Sequence, residues 1–168
     1  MPATATLTTT TGNLRISAQT NATIGQLSAD AVSIIAQSGA LLSAQFSTIN
    51  VTADSLRISA NAAIGAASSH LLTDVAKLSA HSTTAGIYIT EDSAVTVTSV
   101  RVATTELLAN GGSLTVTDAA QSDLTAGGAI VVVVNLGDLI VDDGSSLVDQ
   151  TAADGRSADT FAVQAGGS

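Results

Sequence analysis

Four aspartates near the C-terminus are the residues of this sequence best suited to bind a metal ion. Asp138, Asp142, Asp143 and Asp149 lie within the stretch LGDLIVDDGSSLVDQ. Calcium prefers several carboxylate and carbonyl oxygens that converge on one point. The spacing matches neither the EF-hand loop nor the glycine-rich nonapeptide of calcium-binding β-rolls. A solvated acidic surface is therefore the simpler interpretation, and calcium binding by these four residues is the alternative.

Two arginines occupy the same place in a repeated phrase. LRISAQTNATIG begins at Leu14, and LRISANAAIG begins at Leu56, 42 positions later. Because Arg15 and Arg57 each stand between inward apolar residues, we expect both to point outward on one face, two coils apart. A basic strip for an acidic glycan is one interpretation of this pair. Two solvated surface charges are the simpler one.

Residues that would catalyse a reaction are few. A glycosidase-like site needs two carboxyl groups facing each other across the sugar. The side chains available for one are Glu91, Asp92, Glu106, Arg101 and Tyr88. His70 and His81 have no serine or aspartate relay that the sequence identifies. We therefore predict a protein that is not an enzyme and that needs no cofactor, calcium aside.

Charge is distributed unevenly along the chain. Residues 1–84 carry three basic and three acidic groups, so the net charge of −9 comes entirely from residues 85–168. A nucleic-acid backbone would be repelled by such a surface. The sequence has no cysteine, and no apolar run is long enough to span a bilayer. We expect no nucleic-acid partner, no membrane insertion and, in the N-terminal residues, no signal peptide.

Apolar residues alternate with small polar ones over most of the chain. This period of two, interrupted by Gly, Asn, Asp and Ser, predicts short β-strands. The stretch SHLLTDVAKLSAH, residues 69–81, also fits a short helix. The residues expected to face inward are Leu14, Ile16, Leu56, Ile58, Ile87, Ile89, Val95, Val97, Leu114 and Val116.

The strands recur at a nearly regular interval. Their expected starts are Leu14, Val32, Leu56, Leu78, Val95, Leu114, Ile130 and Leu147. Such a period is the signature of a solenoid, whose coils bury their apolar faces against one another. An immunoglobulin-like sandwich is the competing architecture, but it needs tight hairpins and an aromatic core, and aromatics are only 2% of this chain. We predict an all-β, right-handed parallel β-helix (β-solenoid) of about eight coils, in which Thr96/Thr98 and Thr115/Thr117 stack on adjacent rungs.

Three stretches resemble a known family. GNLRISA from Gly12, TAGIYITEDSAVTV from Thr84 and GGSLTVT from Gly111 are similar to the repeats of filamentous-haemagglutinin-like proteins, very large bacterial surface or secreted proteins. The resemblance covers roughly residues 12–135. It implies a parallel β-helix and an extracellular adhesive or structural stalk.

We therefore expect residues 1–168 to form a single β-solenoid segment, an excerpt of a longer repeat protein, with an acidic and less regular part at 136–168. The expected function is a non-catalytic stalk on the bacterial cell surface whose partner is a surface protein or glycan of a host or neighbouring cell. One alternative is a calcium-dependent module that binds a glycan or a protein. Another is a subunit that associates end to end into filaments, because exposed end rungs carry unpaired backbone groups.

Overall fold

Residues 5–45, 47–142 and the strand at 161–165 are described by the computed structural model. Within these ranges every regular element is a β-strand. In chain order the strands are β1 (Thr6–Thr8), β2 (Leu14–Ala18), β3 (Ala22–Ile24), β4 (Gln26–Ser28), β5 (Ala31–Ala36), β6 (Leu41–Ser43), β7 (Val51–Ala60), β8 (Leu71–Ser82), β9 (Ile87–Glu91), β10 (Val95–Val97), β11 (Ala103–Leu107), β12 (Ser113–Thr117), β13 (Leu124–Ala126), β14 (Ile130–Val134), β15 (Leu139–Val141) and β16 (Phe161–Ala165). None of the described residues forms a helix with the length and apolar character needed to cross a membrane.

Parallel strands stack in register to form a β-solenoid of about four turns. Along one face, Leu14 of β2 lies beside Val32 of β5, which lies beside Leu56 of β7, which lies beside Leu78 of β8. We call the turns that contain these four strands coils 1 to 4; β10 with β13, and then β15, continue the same column beyond coil 4. Successive coils differ in length because the corners between their faces hold different numbers of residues. The backbone hydrogen bonds run along the axis from coil to coil.

The core consists of the inward residues of each strand, stacked in columns. Leu56, Ile58, Leu78, Ile87 and Ile89 are completely buried, as period-two alternation predicted. Leu14 and Ile16 are only partly buried, because β2 is the outermost described strand of its face and has a described neighbour on one side alone. Among the described residues, the apolar side chains of this core are all aliphatic.

The prediction of about eight coils is wrong, and the reason lies in β12. Leu114 and Val116 alternate with threonines as solenoid strands do, but β12 pairs antiparallel with β11 in a hairpin outside the coils. Leu114 is accordingly half exposed instead of buried. The expected stacking of Thr115/Thr117 on Thr96/Thr98 is wrong for the same reason. Ile130, another counted start, lies over Ile87 on a different face and begins no new coil.

Residues 71–82, for which a helix was the alternative, form the long strand β8. One edge of β8 pairs parallel with β7, and the other edge pairs parallel with β9, β10 and β13. Burial against both neighbours outweighs the local helical pattern. The parallel pairing also replaces the antiparallel hairpins that an immunoglobulin-like sandwich requires.

Candidate functional site

A long insertion interrupts the solenoid next to coil 4. Val97 lies beside Leu78 and Leu124 lies beside Ala80, so residues 98–123 occupy the place of one ladder position, opposite Ser79. We call residues 98–123 the arm. The ladder stays paired on both sides of it. The Thr98 amide donates to the Leu78 carbonyl over 3.1 Å, and the Ala80 amide donates to the Asp123 carbonyl over 3.0 Å.

The arm begins as two antiparallel segments and ends in the β11–β12 hairpin. Val100 and Gln121 exchange backbone hydrogen bonds of 2.8 and 3.0 Å near its root. Asp123, where the arm rejoins the ladder, has a φ of 62°, a left-handed conformation that Asp tolerates better than most residues. Val100 and Val102 are buried, so the root of the arm is closely packed.

The arm folds back over one outward column of the solenoid. The pairing registers place Arg15, Ser33, Arg57 and Ser79 in that column, one on each of coils 1 to 4. The two serines are completely buried. The repeated LRISA phrase supplies the two arginines, and the pairing confirms that both lie on one face two coils apart.

Hydrogen bonds at several coils fasten the arm to this face. The Gln121 side-chain amide donates to the Ile58 carbonyl over 2.7 Å, and the Arg57 Nε–H donates to the Ala119 carbonyl over 3.0 Å. Arg15 Nε lies 3.0 Å from both carboxylate oxygens of Asp118. At coil 1 the Asn13 side-chain amide donates to the carbonyl of Ala103 over 2.8 Å.

The electrostatics of this face are those of a partly desolvated cluster. Arg15 and Asp118 are 24% and 8% exposed, so the expectation of two solvated charges is wrong. Burial lowers the pKa of Arg57, the nearby Arg15 lowers it further, and Asp118 opposes both. The Asp118 carboxylate therefore interacts electrostatically with both guanidinium groups. Arg57 Nη1 and the hydroxyls of Ser33 and Ser79 are buried without a hydrogen-bond partner among the described residues, which makes the contact between arm and coils imperfect.

A second feature is an acidic groove at the corner between two faces. Asp30, Asp54 and Asp74 line it together with Ser28, Thr52 and Ser93, around a volume of about 370 Å³. Two of the carboxylates are engaged: Asp30 accepts from the Gly12 amide over 2.7 Å, and Asp74 accepts from the Ser93 hydroxyl over 2.7 Å. The intervals between the three aspartates match the coil length and are the signal that would have found this groove.

Glu91 lies in the interior, near the same corner. Its side chain is completely buried. Its Oε2 accepts from the Thr73 hydroxyl over 2.6 Å, and its Oε1 accepts from the Val75 amide over 2.7 Å. Burial raises the pKa of Glu91 to about 7, although hydrogen bonds from Thr73, Val75 and the Ser93 amide oppose the rise. The removal of the carboxylate from water outweighs these hydrogen bonds, because burial disfavours the charged form.

The four predicted calcium ligands are only half described. Asp138 and Asp142 are exposed, whereas Asp143 and Asp149 lie outside the described residues. Asp142 Oδ2 accepts from the Thr98 hydroxyl over 3.1 Å. No group of three or more potential metal ligands converges within the part of the chain that the structure describes. Calcium binding by the four aspartates stays a prediction.

The side chains weighed for catalysis do not meet in one place. Glu106 lies on the hairpin, exposed, while Glu91 is buried in the interior. His70 is hydrogen-bonded to the Thr90 hydroxyl over 2.8 Å, and its ring lies 6.1 Å from that of Tyr88. No family model, curated protein or solved structure matches this chain.

Proposed function

We propose that this chain is a non-catalytic structural and adhesive segment, a stalk on the surface of a bacterial cell. The observation that supports the proposal is the continuity of the ladder. Leu14, Val32, Leu56, Leu78, Val97 and Val141 follow one another in a single column of parallel strands. Axial hydrogen bonds and a mostly aliphatic interior suit an element that bears load along its length. The resemblance of residues 12–135 to filamentous-haemagglutinin repeats supports the extracellular location and a right-handed winding, which is also the usual hand of parallel crossovers.

The arm is the part of the surface that best suits adhesion. It projects from a regular scaffold, as recognition loops do, and its hairpin is exposed on both faces. In this proposal the coils position the arm, and the arm contacts a protein or glycan of another cell. The acidic groove and Glu91 have no part in this contact.

The arm occupies only one position of the ladder, so it can be removed without breaking the ladder. An armless variant, in which one serine replaces residues 98–123, restores the ladder opposite Ser79. Beads coated with the chain are expected to bind cultured epithelial cells or a glycan array, and beads coated with the armless variant are expected to bind several-fold less. Equal binding by both would show that the arm does not contribute to adhesion. Failure of either protein to bind any cell or glycan surface would overturn the adhesive function and leave the structural one.

A further inference from the structure

The β11–β12 hairpin is a sheet of only two strands. Within the described residues β11 and β12 pair with each other and with no other strand. Most of their side chains are exposed, and the large apolar side chain of Leu114 is 50% exposed. A hairpin of two strands is marginally stable in water, and additional strands stabilise it. The hairpin is therefore the part of the described fold that gains most from a further strand at its edge.

The hydrogen bonds of the hairpin show which backbone groups stay available. The Asp118 amide donates to the Val102 carbonyl over 2.9 Å, and the Leu108 amide donates to the Gly112 carbonyl over 2.8 Å. Hydrogen-bonded positions alternate along an antiparallel pair, so the even-numbered residues of this hairpin face the partner strand and the odd-numbered residues face outward. The outward N–H and C=O groups of β12 belong to its three odd-numbered residues, Ser113, Thr115 and Thr117.

The edge of β12 is better suited to a partner strand than the edge of β11. The outward edge of β11 starts against coil 1, where the Ala103 carbonyl accepts from the Asn13 side chain, and β11 contains the charged Glu106. β12 has the sequence SLTVT, without a charge and with Thr and Val, which favour strands. An uncharged edge of this kind lacks the devices that prevent pairing with another chain.

The sequence of β12 is complementary to itself. When two copies run antiparallel with Thr115 opposite Thr115, Leu114 lies opposite Val116 and Ser113 lies opposite Thr117, each of them twice. Every outward residue then meets an outward residue of the other copy, so all the available N–H and C=O groups of both edges are used. A register shifted by two residues leaves some of these groups unpaired and brings fewer apolar residues together.

We propose that β12 pairs antiparallel with β12 of a second copy of this chain, about a two-fold axis at Thr115. The product is a four-stranded sheet in the order β11, β12, β12, β11. Leu114 and Val116 of both copies form an apolar cluster on one face, the face that carries Asp118. These residues occupy non-hydrogen-bonded positions of the new pair, where side chains on opposite strands approach most closely. The pairing therefore covers the exposed surface of Leu114.

The described strands leave room for this arrangement. The arm runs from coil 4 to coil 1, so the base of each hairpin lies beside the tip of the other, and the coils of the two copies lie at opposite ends of the new sheet. Asp118 lies opposite Gly112 of the second copy, which separates the two copies of Asp118, each beside its own coil 1, by about 20 Å. β1 pairs with β4 and extends one rung beyond coil 1. The two copies of β1 take up about 10 Å of this distance.

Charge and side-chain size also permit the contact. Glu106 is the only charged residue of β11 and β12, and its two copies are three strand spacings apart, about 14 Å, which exceeds the screening length of about 8 Å at physiological salt. The new ladder ends at Thr117, because the next outward carbonyl, that of Ala119, accepts from Arg57. The glycines of the second copy's turn come beside Ala119 and Ala120, which are small and exposed.

The contact joins the same surface of both copies, so it closes as a dimer and does not continue into a filament. Each copy carries a net charge of −9, so added salt is expected to strengthen the dimer by screening the repulsion between the copies. The inference goes beyond the proposed function, because it holds wherever the protein is located and whether or not the arm binds another cell.

Proline at the centre of the edge tests the pairing in sedimentation equilibrium. Thr115→Pro removes an outward N–H that β11 does not use, and it is expected to weaken dimerisation at least tenfold while thermal melting stays cooperative. Thr105→Pro makes the same change at the outward edge of β11, and dimerisation is expected to be unchanged. Equal effects of the two prolines would overturn the pairing. A wild-type chain that stays monomeric at every concentration, or whose mass grows beyond the dimer, would overturn it as well, and the proposed function would stand.

Disulfide formation tests the register, because the chain contains no cysteine. In a mixture of Leu114→Cys and Val116→Cys, the two thiols lie opposite each other with their Cα atoms about 4.5 Å apart, which suits a disulfide. Mild oxidation of this mixture is expected to give a covalent dimer that contains one copy of each variant. Either variant alone places its two thiols on a diagonal about 8 Å apart, too far for a disulfide, and serves as the control. Equal disulfide yields from the mixture and from the single variants would overturn the register.

Discussion

Arg15 and Asp118 are far apart in the sequence, and their side chains form the ion pair that holds the base of the hairpin against coil 1. The same carboxylate raises the pKa of Arg57 and so opposes the lowering of that pKa by burial. One aspartate thus connects an inserted hairpin to two coils of the scaffold.

Replacing Asp118 with Asn is expected to loosen the arm. Arg15 and Arg57 would then lose their shared counter-charge, and breaking this partly buried pair should cost on the order of 1–3 kcal/mol in the free energy of unfolding, between the costs for exposed and fully buried pairs. Exposed Arg101 provides the readout, because trypsin cleaves after it faster once the arm detaches. Glu106→Gln removes one charge from the exposed hairpin and should change neither urea denaturation nor cleavage. Equal cleavage rates for Asp118→Asn and the wild type would contradict the role of this pair.

The armless variant is expected to fold. Its single serine fills the ladder opposite Ser79, so the β-sheet circular dichroism spectrum should persist. The free energy of unfolding should fall by on the order of 3 kcal/mol, because the buried Val100 and Val102 are lost. A control that shortens only the hairpin, joining Ala103 to Thr117 through Asn-Gly, should retain most of this stability. A disordered spectrum for the armless variant would mean that the arm is required for the coils to form.

Glu91 makes stability depend on pH near neutrality. Its pKa in the folded state, about 7, is above the ordinary value of 4.5, so the protonated form stabilises the fold. This contribution is fully present below about pH 4.5 and is lost as the pH rises through 7. Glu91→Gln imitates the protonated acid. Its free energy of unfolding should equal that of the wild type near pH 4.5 and exceed it by on the order of 2–3 kcal/mol at pH 8.

The control for this pH dependence is Asp92→Asn, which removes the neighbouring exposed carboxylate. Its stability relative to the wild type should vary little across the same range. A constant difference between Glu91→Gln and the wild type from pH 4.5 to pH 8 would show that Glu91 is ionised throughout.

Calcium distinguishes the two interpretations of the acidic C-terminal residues. If Asp138, Asp142, Asp143 and Asp149 form a solvated surface, the melting midpoint should be the same in about 5 mM calcium, a concentration that saturates weak extracellular sites, as in chelator. Thermal melting curves recorded by circular dichroism, in calcium and in chelator, measure the two midpoints. A midpoint that rises with calcium and falls again with chelator would support the calcium-dependent module. Asp142→Asn should then abolish the rise.

Alternation predicted the strands of this fold but not their partners. A period of two reports that one face of a strand is apolar, and it is the same for Leu56, which is buried in coil 3, and for Leu114, which lies on the hairpin. Coils 1 and 3 could be located because both contain the phrase LRISA. The hairpin was counted among them because its strands have the same spacing.

Local sequence patterns could not predict the interactions of the arm. Nothing near Arg15 in the sequence points to Asp118, since the contact depends on how far the arm folds back. The sequence offers Glu91 only as an acid for a possible catalytic pair, because its burial follows from the register of β9 on β8. The acidic groove could have been predicted, because Asp30, Asp54 and Asp74 recur at coil-like intervals. Charge totals alone did not show it, because they discard the position of each charge.

The junction between Val97 and Leu124 has a consequence for engineering. Because the whole arm enters and leaves the ladder within one position while the ladder stays hydrogen-bonded on both sides, we expect this point to accept foreign peptides. The entropy of closing a flexible graft there grows only slowly with its length. A library of loops displayed at this point would share one rigid backbone, and each loop would emerge in the same direction.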